Sequence, residues 1–483
     1  MKKIEVKIVI IGGGTAGLAA YRAAKEKTDS VLLIEGAQFG TTCARVGCMP
    51  SKLLIAAADA AHQIQHSEPF GIFVEGNVRI DGKKVMQRIR HERDRFVGFV
   101  LDAVAGIDSK DKLFGKAVFI NKHQLQIGNH SIVNAERIVI ATGSRPSYPD
   151  IWNALGDKLI INDDLFNWTD LPTSIAIFGP GVIGLELGQS LHRLGVKVFM
   201  FGMGGQVGPF TDVDVMEYAR KTFMDEFFLD ADATIKEMLR KDDGVQITYL
   251  DKKGKEQVIL VDQVLAATGR RPNVDKLGLD NIKIELDSRG VPLADPFTMQ
   301  TSIPSIFIAG DASNQMPLLH EAADQGKIAG NNAALYPHIR VGLRRSAIAA
   351  VFTDPQLAMI GLSRKQVIAK LGACSCFETG VVSFEDQGRS RVMLKNKGLL
   401  HIYAEQGTGR LLGAEMIGPQ VEHLAHLLAW AHQNRMTISQ MLEMPFYHPV
   451  IEEGVRTALR DLNAKLKLGS AMINQCMECG PGC

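Results

Sequence analysis

The sequence predicts an α/β chain in which two doubly wound, parallel-sheet units precede a smaller C-terminal α+β domain. Three observations carry this. At ~150 residues per domain, 483 residues make about three domains. A buried-type strand that runs into a glycine-rich turn, a helix and a second strand occurs twice. Beyond Arg345 the pattern changes to short strands followed by helices. Composition sets outer limits on function. Hydrophobic residues make up 46% and charged residues 22%, the balance of an ordinary globular chain. Fifty-four Lys and Arg against 53 Asp and Glu leave a net charge of +1, which argues against bulk electrostatic binding to nucleic acid or membrane. No run approaches the ~18 apolar residues of a membrane span. The apolar start at 6–11 is too short for a signal peptide, and the expected location is cytoplasmic.

In the first unit Val6-Lys7-Ile8-Val9-Ile10-Ile11 reads as a strand buried on both faces. It runs into Gly12-Gly13-Gly14-Thr15-Ala16-Gly17, then a helical stretch over 18–24 and a strand over 31–34 that ends in Glu35. Strand, G-x-G-x-x-G, helix, strand, acid is the order of a Rossmann-like dinucleotide-binding unit. Gly12, Gly14 and Gly17 allow the tight turn and the close approach of a pyrophosphate to the helix N-terminus, and Glu35 is placed to accept hydrogen bonds from a ribose. One such motif is weak evidence; its recurrence is not. The strand at 174–178 leads into Gly179-Pro180-Gly181-Val182-Ile183-Gly184, a helix through Leu194 and a strand at 196–201. Similar phrases close both units: Ala141-Thr142-Gly143-Ser144-Arg145-Pro146 and Ala267-Thr268-Gly269-Arg270-Arg271-Pro272. A further strand at 305–309 ends in Gly310-Asp311, where ligands collect in open α/β sheets, and a helix is expected over 321–334. The C-terminal strands are expected at 392–394, 399–403 and 411–416.

Seven cysteines are too few for a disulfide-stapled fold. They lie at Cys43 and Cys48, at Cys374 and Cys376, and at Cys476, Cys479 and Cys483. A bond between Cys374 and Cys376 is not expected. Cys43 and Cys48 cannot meet along a regular helix, so the chain must bend between them, and Gly47 supplies the freedom. Pro50 suits a helix's first turn. A helix over 49–61 would then leave Cys48 at its N-terminus, where the dipole and free N–H groups favour a thiolate, with Cys43 the freer thiol.

With these residues in place the chain resembles the pyridine nucleotide–disulfide oxidoreductase family, most closely its dihydrolipoamide dehydrogenase branch, over residues 1 to about 465. The C-x4-C-x-P-S-K phrase, both glycine motifs, the A-T-G phrases, I-F-I-A-G-D and H-P-x-x-x-E occur in family order. The resemblance implies FAD in a domain over 1–150, NAD (with NADP not excluded) in one over 151–276, a segment over 277–345 completing the FAD site, a dimerisation domain over 346–465 and a homodimer. Residues 466–483 form a cysteine-containing tail. It assigns Cys43 to exchange with substrate and Cys48 to the flavin, and implies a Lys52–Glu186 ion pair beside the flavin. Gly115, Leu318 and His320 match flavin-contacting positions, and Asp311 belongs to the same site. His448, oriented by Glu453, becomes the acid–base serving Cys43 of the other subunit, with Pro449 putting His448 at a helix N-cap. The implied activity is oxidation of a small dithiol, with a lipoyl-bearing protein open as its carrier and no catalytic metal. The alternative is NADPH-dependent reduction of a disulfide or of mercuric ion through Cys476, Cys479 and Cys483.

Four positions depart from the family pattern. Gly202 replaces the acid after the second unit's strand, and no Arg lies between 198 and 210 to hold a 2′-phosphate. Arg45 replaces an Asn between the cysteines, either to act on a thiol or substrate or to face solvent. Thr41 replaces a glycine, and Gln356 an acid.

Overall fold

The computed structural model describes residues 1–371 and 376–467. In the first sheet β1 (Lys2–Ile11) lies parallel between β2 (Val31–Glu35) and the strand Ser131–Ile140, and Lys112–Phe114 continues the sheet beyond β2. Ser131–Ile140 pairs antiparallel with Gln124–Ile127 near its start and parallel with Ile306–Ile308 near its end. Ile8, Ile10, Ile138 and Phe307 are fully buried, as a sheet covered on both faces demands. α1 (Thr15–Lys25) follows the glycine turn and packs on the helix Leu319–Leu335. A Cβ on Gly326 would fall 2.2 Å from the Ala16 carbonyl oxygen, so glycine is what lets these backbones approach.

The second unit repeats the plan. Phe228–Asp230, Lys197–Phe201, Ser174–Phe178, Gln263–Ala266 and Leu159–Ile160 form a five-stranded parallel sheet in that order. The two closing phrases pair with each other: Ser144–Pro146 runs antiparallel to Arg270–Pro272 and ties the units together. The C-terminal domain is a five-stranded antiparallel sheet with the helices Val421–Gln433 and Glu453–Lys465 packed on it. No helix among the described residues is long and apolar enough to cross a membrane.

The expected fold class holds, and three local expectations are corrected. Residues 392–394 are not a strand: Gly388–Val392 is a short helix, capped by the Gln387 side chain, and Leu394 has φ +53°. Three residues are too few for a period to separate helix from strand. The helix expected over 49–61 spans Cys48–Gln65. His448 is not an N-cap, because the last helix begins at Glu453 with Glu452 as its cap. Cys374 and the tail cysteines lie outside the described residues; Cys376 is buried and disulfide-bonded.

Candidate active site

Both glycine turns are built alike. Gly12 (φ +111°) and Gly179 (φ +109°) adopt backbone that L side chains rarely take, and a Cβ on either would fall 2.3 or 2.4 Å from the carbonyl oxygen of Ala141 or Ala267. Gly17 and Gly184 press against the carbonyl oxygens of Gly12 and Gly179, 1.7 and 2.0 Å from where a Cβ would stand. Gly14 and Gly181 differ: a Cβ there meets nothing within 4 Å. Each is the N-cap of its helix without a side-chain cap, and neither helix has an acid in its first turn. Those N–H groups are therefore left for an anion. Gly143 (φ +68°) and Gly269 (φ +121°) open the paired phrases behind the turns. Thr142 Oγ1 is buried with no hydrogen-bond partner among the described residues. Asp311 accepts from Ser144 Oγ at 2.7 Å, and Leu318 caps the helix that carries the exposed His320.

Glu35 is already engaged. Its carboxylate accepts from Gly13 N–H and Ala37 N–H, both at 2.7 Å, which aims it at the turn, and Gly115 N–H bonds the Glu35 carbonyl at 2.8 Å.

The cysteines stand on two helices, α2 (Thr42–Val46) and α3 (Cys48–Gln65), with Gly47 as the bend between them. Both are free thiols, Cys43 partly exposed and Cys48 exposed. A hydrogen bond from Cys43, aided by Lys52, lowers the Cys48 thiol to about 7. The same contact with Cys48, together with burial, drives Cys43 far above its ordinary range. Reduced, the pair is one thiol donating to one thiolate, with the charge at the helix N-terminus. Lys52, one turn along α3, puts Nζ 2.8 Å from both oxygens of Glu186, a buried residue on the helix Val182–Arg193. Phe352 completes this corner: its N–H donates to Glu186 at 2.9 Å and its ring centroid lies 4.4 Å from Lys52 Nζ. His448 Nδ1 lies 3.0 Å from both Glu453 oxygens, its imidazole 79% exposed, and that bond holds the Glu453 carboxyl below its usual range.

A family model described as pyridine nucleotide-disulphide oxidoreductase matches residues 6–326, and one for that family's dimerisation domain matches residues 348–459. The chain belongs to this family. Dihydrolipoyl dehydrogenase of Chlamydia trachomatis is 30% identical across 92% of this chain and 94% of its own length. A dihydrolipoyl dehydrogenase of Bacillus subtilis is 28% identical across 94% and 97%. Among solved structures, the HOCl-induced flavoprotein disulfide reductase RclA from Escherichia coli aligns with a TM-score of 0.78 at 24% identity, covering 95% of this chain and all of that one. LpdA from Mycobacterium tuberculosis aligns at 0.76 and 23%, covering 95% and 99%. These last two speak for the fold.

Pyridine nucleotide-disulphide oxidoreductases of the dihydrolipoyl dehydrogenase kind work with FAD and NAD(H). The first unit fits FAD: an open glycine at an uncapped helix, an orphaned buried hydroxyl at Thr142 and an acid at Glu35. The family departures also acquire reasons. Thr41 sits at φ +56°, a conformation suited to the glycine it replaces, and caps α2 by accepting from Ala44 N–H. Arg45 donates to the Gln38 carbonyl, and the cation that lowers Cys48 is Lys52. Gln356 exchanges hydrogen bonds with Glu422 at the start of the helix Val421–Gln433.

Sequence reasoning missed Phe352, because nothing local marks a backbone N–H as a partner for Glu186. It also missed Arg193. That buried guanidinium meets Asp59 of α3, Glu226 of the second unit and Asp354 of the C-terminal domain at 3.2, 2.7 and 3.2 Å. Among the described residues one group could hold a metal ion, Asp212, Asp214 and His401. Asp212 is spent on helix N–H groups, His401 and Tyr403, which makes it a joint between domains.

Proposed function

We propose that this oxidoreductase oxidises a small dithiol of the dihydrolipoamide class, as a cytoplasmic homodimer, with NAD as the final acceptor. The observation that carries the reading is the opposed character of the two thiols. In the oxidised enzyme a substrate thiolate attacks Cys43 Sγ; the Cys43–Cys48 bond breaks and Cys48 leaves as a thiolate, the better leaving group because Lys52 and the helix N-terminus favour its charge. The second substrate thiol then attacks the mixed disulfide on the substrate's own sulfur. The cyclic disulfide departs, and Cys43, whose pKa is raised, takes a proton. Two thiols are oxidised and one disulfide is reduced at each pass. FAD, when bound, supplies the two-electron relay from the thiols to the nicotinamide.

His448 holds the proton lost by the substrate thiols, and Glu453 keeps Nδ1 occupied so that Nε2 faces outward. Among the described residues the imidazole bonds Glu453 and neither cysteine, which favours service to a second copy of the chain. Lys52, Glu186 and Phe352 hold a cation one turn from Cys48. Relatives named dihydrolipoyl dehydrogenase support the substrate class. A second reading, reduction of a disulfide or mercuric ion by a reduced nicotinamide, is favoured by Cys476, Cys479 and Cys483. Steady-state assays decide between them: dihydrolipoamide with NAD, against glutathione disulfide and mercuric ion with NADPH. Turnover of dihydrolipoamide at least tenfold above the others supports the first reading; the reverse order supports the second.

A further inference from the structure

The second dinucleotide unit carries a change whose consequence the first unit makes measurable. Gly12 N–H bonds the Ile34 carbonyl and Gly179 N–H bonds the Phe201 carbonyl, at 2.7 and 2.8 Å, so Glu35 and Gly202 occupy the same place one residue further on. By the same register Gly13 corresponds to Pro180. In the first unit Gly13 N–H donates to Glu35 Oε2 and aims the acid. Proline has no N–H to give. Its ring also fills the acid's ground: a Cβ on Gly202 would fall 2.8 Å from Pro180 Cγ and 2.6 Å from the Ala231 carbonyl oxygen. Both the donor that orients a ribose-binding acid and the room for its first carbon are gone. Beyond Gly202 the chain turns through Gly204 and Gly205, at φ +74° and +76°, and residues 198–210 contain neither Lys nor Arg. Among the described residues the acid whose carboxylate bonds this loop is Asp232, which accepts from Gly204 N–H at 2.7 Å and is exposed to screening solvent.

We propose that Pro180 and Gly202 together make the second unit indifferent to the ribose 2′ substituent, so that it takes NAD(H) and NADP(H) with similar affinity. Strong discrimination needs a group built to bond the hydroxyl or the phosphate. Here the backbone leaves no place for the first, and the loop sequence supplies none for the second. The inference rests on the reading of this unit as the nicotinamide-nucleotide site.

Equilibrium binding of ADP-ribose and 2′-phospho-ADP-ribose to the FAD-loaded enzyme, by calorimetry, tests it without turnover. The two dissociation constants should agree within about tenfold, and kcat/KM for NAD and NADP should follow. A preference beyond about 100-fold for either fragment overturns the inference while leaving the site intact. Binding of neither overturns the reading of the site, and the inference with it. Three variants sharpen the result. Gly202→Glu alone should weaken both fragments, whereas Pro180→Gly with Gly202→Glu should shift the ratio toward ADP-ribose by at least about tenfold; an unchanged ratio in a folded double variant refutes the role of Pro180. Asp232→Asn should move the ratio less than about threefold, and a tenfold swing toward the phosphorylated fragment would make Asp232 the discriminating acid instead.

Discussion

The first unit's glycine turn holds its acid with a backbone N–H, and the second unit's turn has lost both the N–H and the acid while keeping everything else. The shared parts are those the chain needs for itself. A side chain at Gly17 or Gly184 would overlap a carbonyl oxygen of its own turn, at 1.7 and 2.0 Å, whatever ligand were present. Gly14 and Gly181 face open space, so only a ligand asks them to be small. The comparison teaches that one motif carries two kinds of glycine, and that the proline which removes the N–H partner also closes the place after the second strand to a side chain.

The largest effects should separate those two kinds. Gly17→Ala and Gly184→Ala force backbone apart and should each cost more than about 4 kcal/mol, read as loss of soluble protein or of the cooperative thermal transition. Gly14→Ala and Gly181→Ala should stay within about 1 kcal/mol of the parent in stability. They should instead lower FAD retention and nicotinamide-nucleotide affinity respectively, each by at least tenfold on the scale of about 1.4 kcal/mol. Equal stability losses at all four positions would erase the distinction.

The joint between the units comes next. Arg193 is a buried cation that meets carboxylates from three parts of the chain. Arg193→Met leaves Asp59, Glu226 and Asp354 facing one another and should destabilise the protein by about 3–5 kcal/mol in chemical denaturation. Folding unaffected by this change would show the three parts to be held by apolar packing alone. A smaller effect is due at Glu35. Glu35→Gln removes a charged acceptor from Gly13 and Ala37 N–H and should weaken FAD binding by about 1.5–3 kcal/mol, whereas Gly202→Ala, with no bond to lose, should act through crowding against Pro180 and Ala231.

The glycine turns, the bend at Gly47 and the position of Cys48 on its helix were legible in the sequence because each is a local demand on the backbone. Lys52, Glu186, His448 and Glu453 were reached through family resemblance, and their contacts join segments far apart in the chain. What escaped was of that second kind. Phe352 reaches Glu186 through a main-chain N–H, and Arg193 is one arginine among many until three domains fold around it. Pro180 was in plain view, yet its effect on Gly202 exists only where the two strands lie side by side. The misplaced strand at 392–394 and the misplaced cap at His448 came from reading too few residues.

The smallest predicted effect lies at the thiols and concerns pH. Cys48 is an acid with a lowered pKa, so its charge is present above about pH 7 and is lost as pH falls through that value. Lys52 lowers it, so Lys52→Met should move the midpoint upward, by about one unit or ~1.4 kcal/mol. That shift would be read from the ultraviolet thiolate absorbance of the reduced enzyme.

The central claim is that Cys48 is the stabilised thiolate and Cys43 the exchanging thiol, and single-cysteine variants of the FAD-loaded enzyme test it most directly. With Cys43→Ser, a long-wavelength thiolate-to-flavin absorption band should stand without added reductant and dithiol turnover should be lost. Serine at 43 still offers Cys48 a hydrogen-bond donor, so the band should titrate in near pH 7. Cys48→Ser should show no such band. A band in Cys48→Ser and none in Cys43→Ser would reverse the two roles and contradict the account.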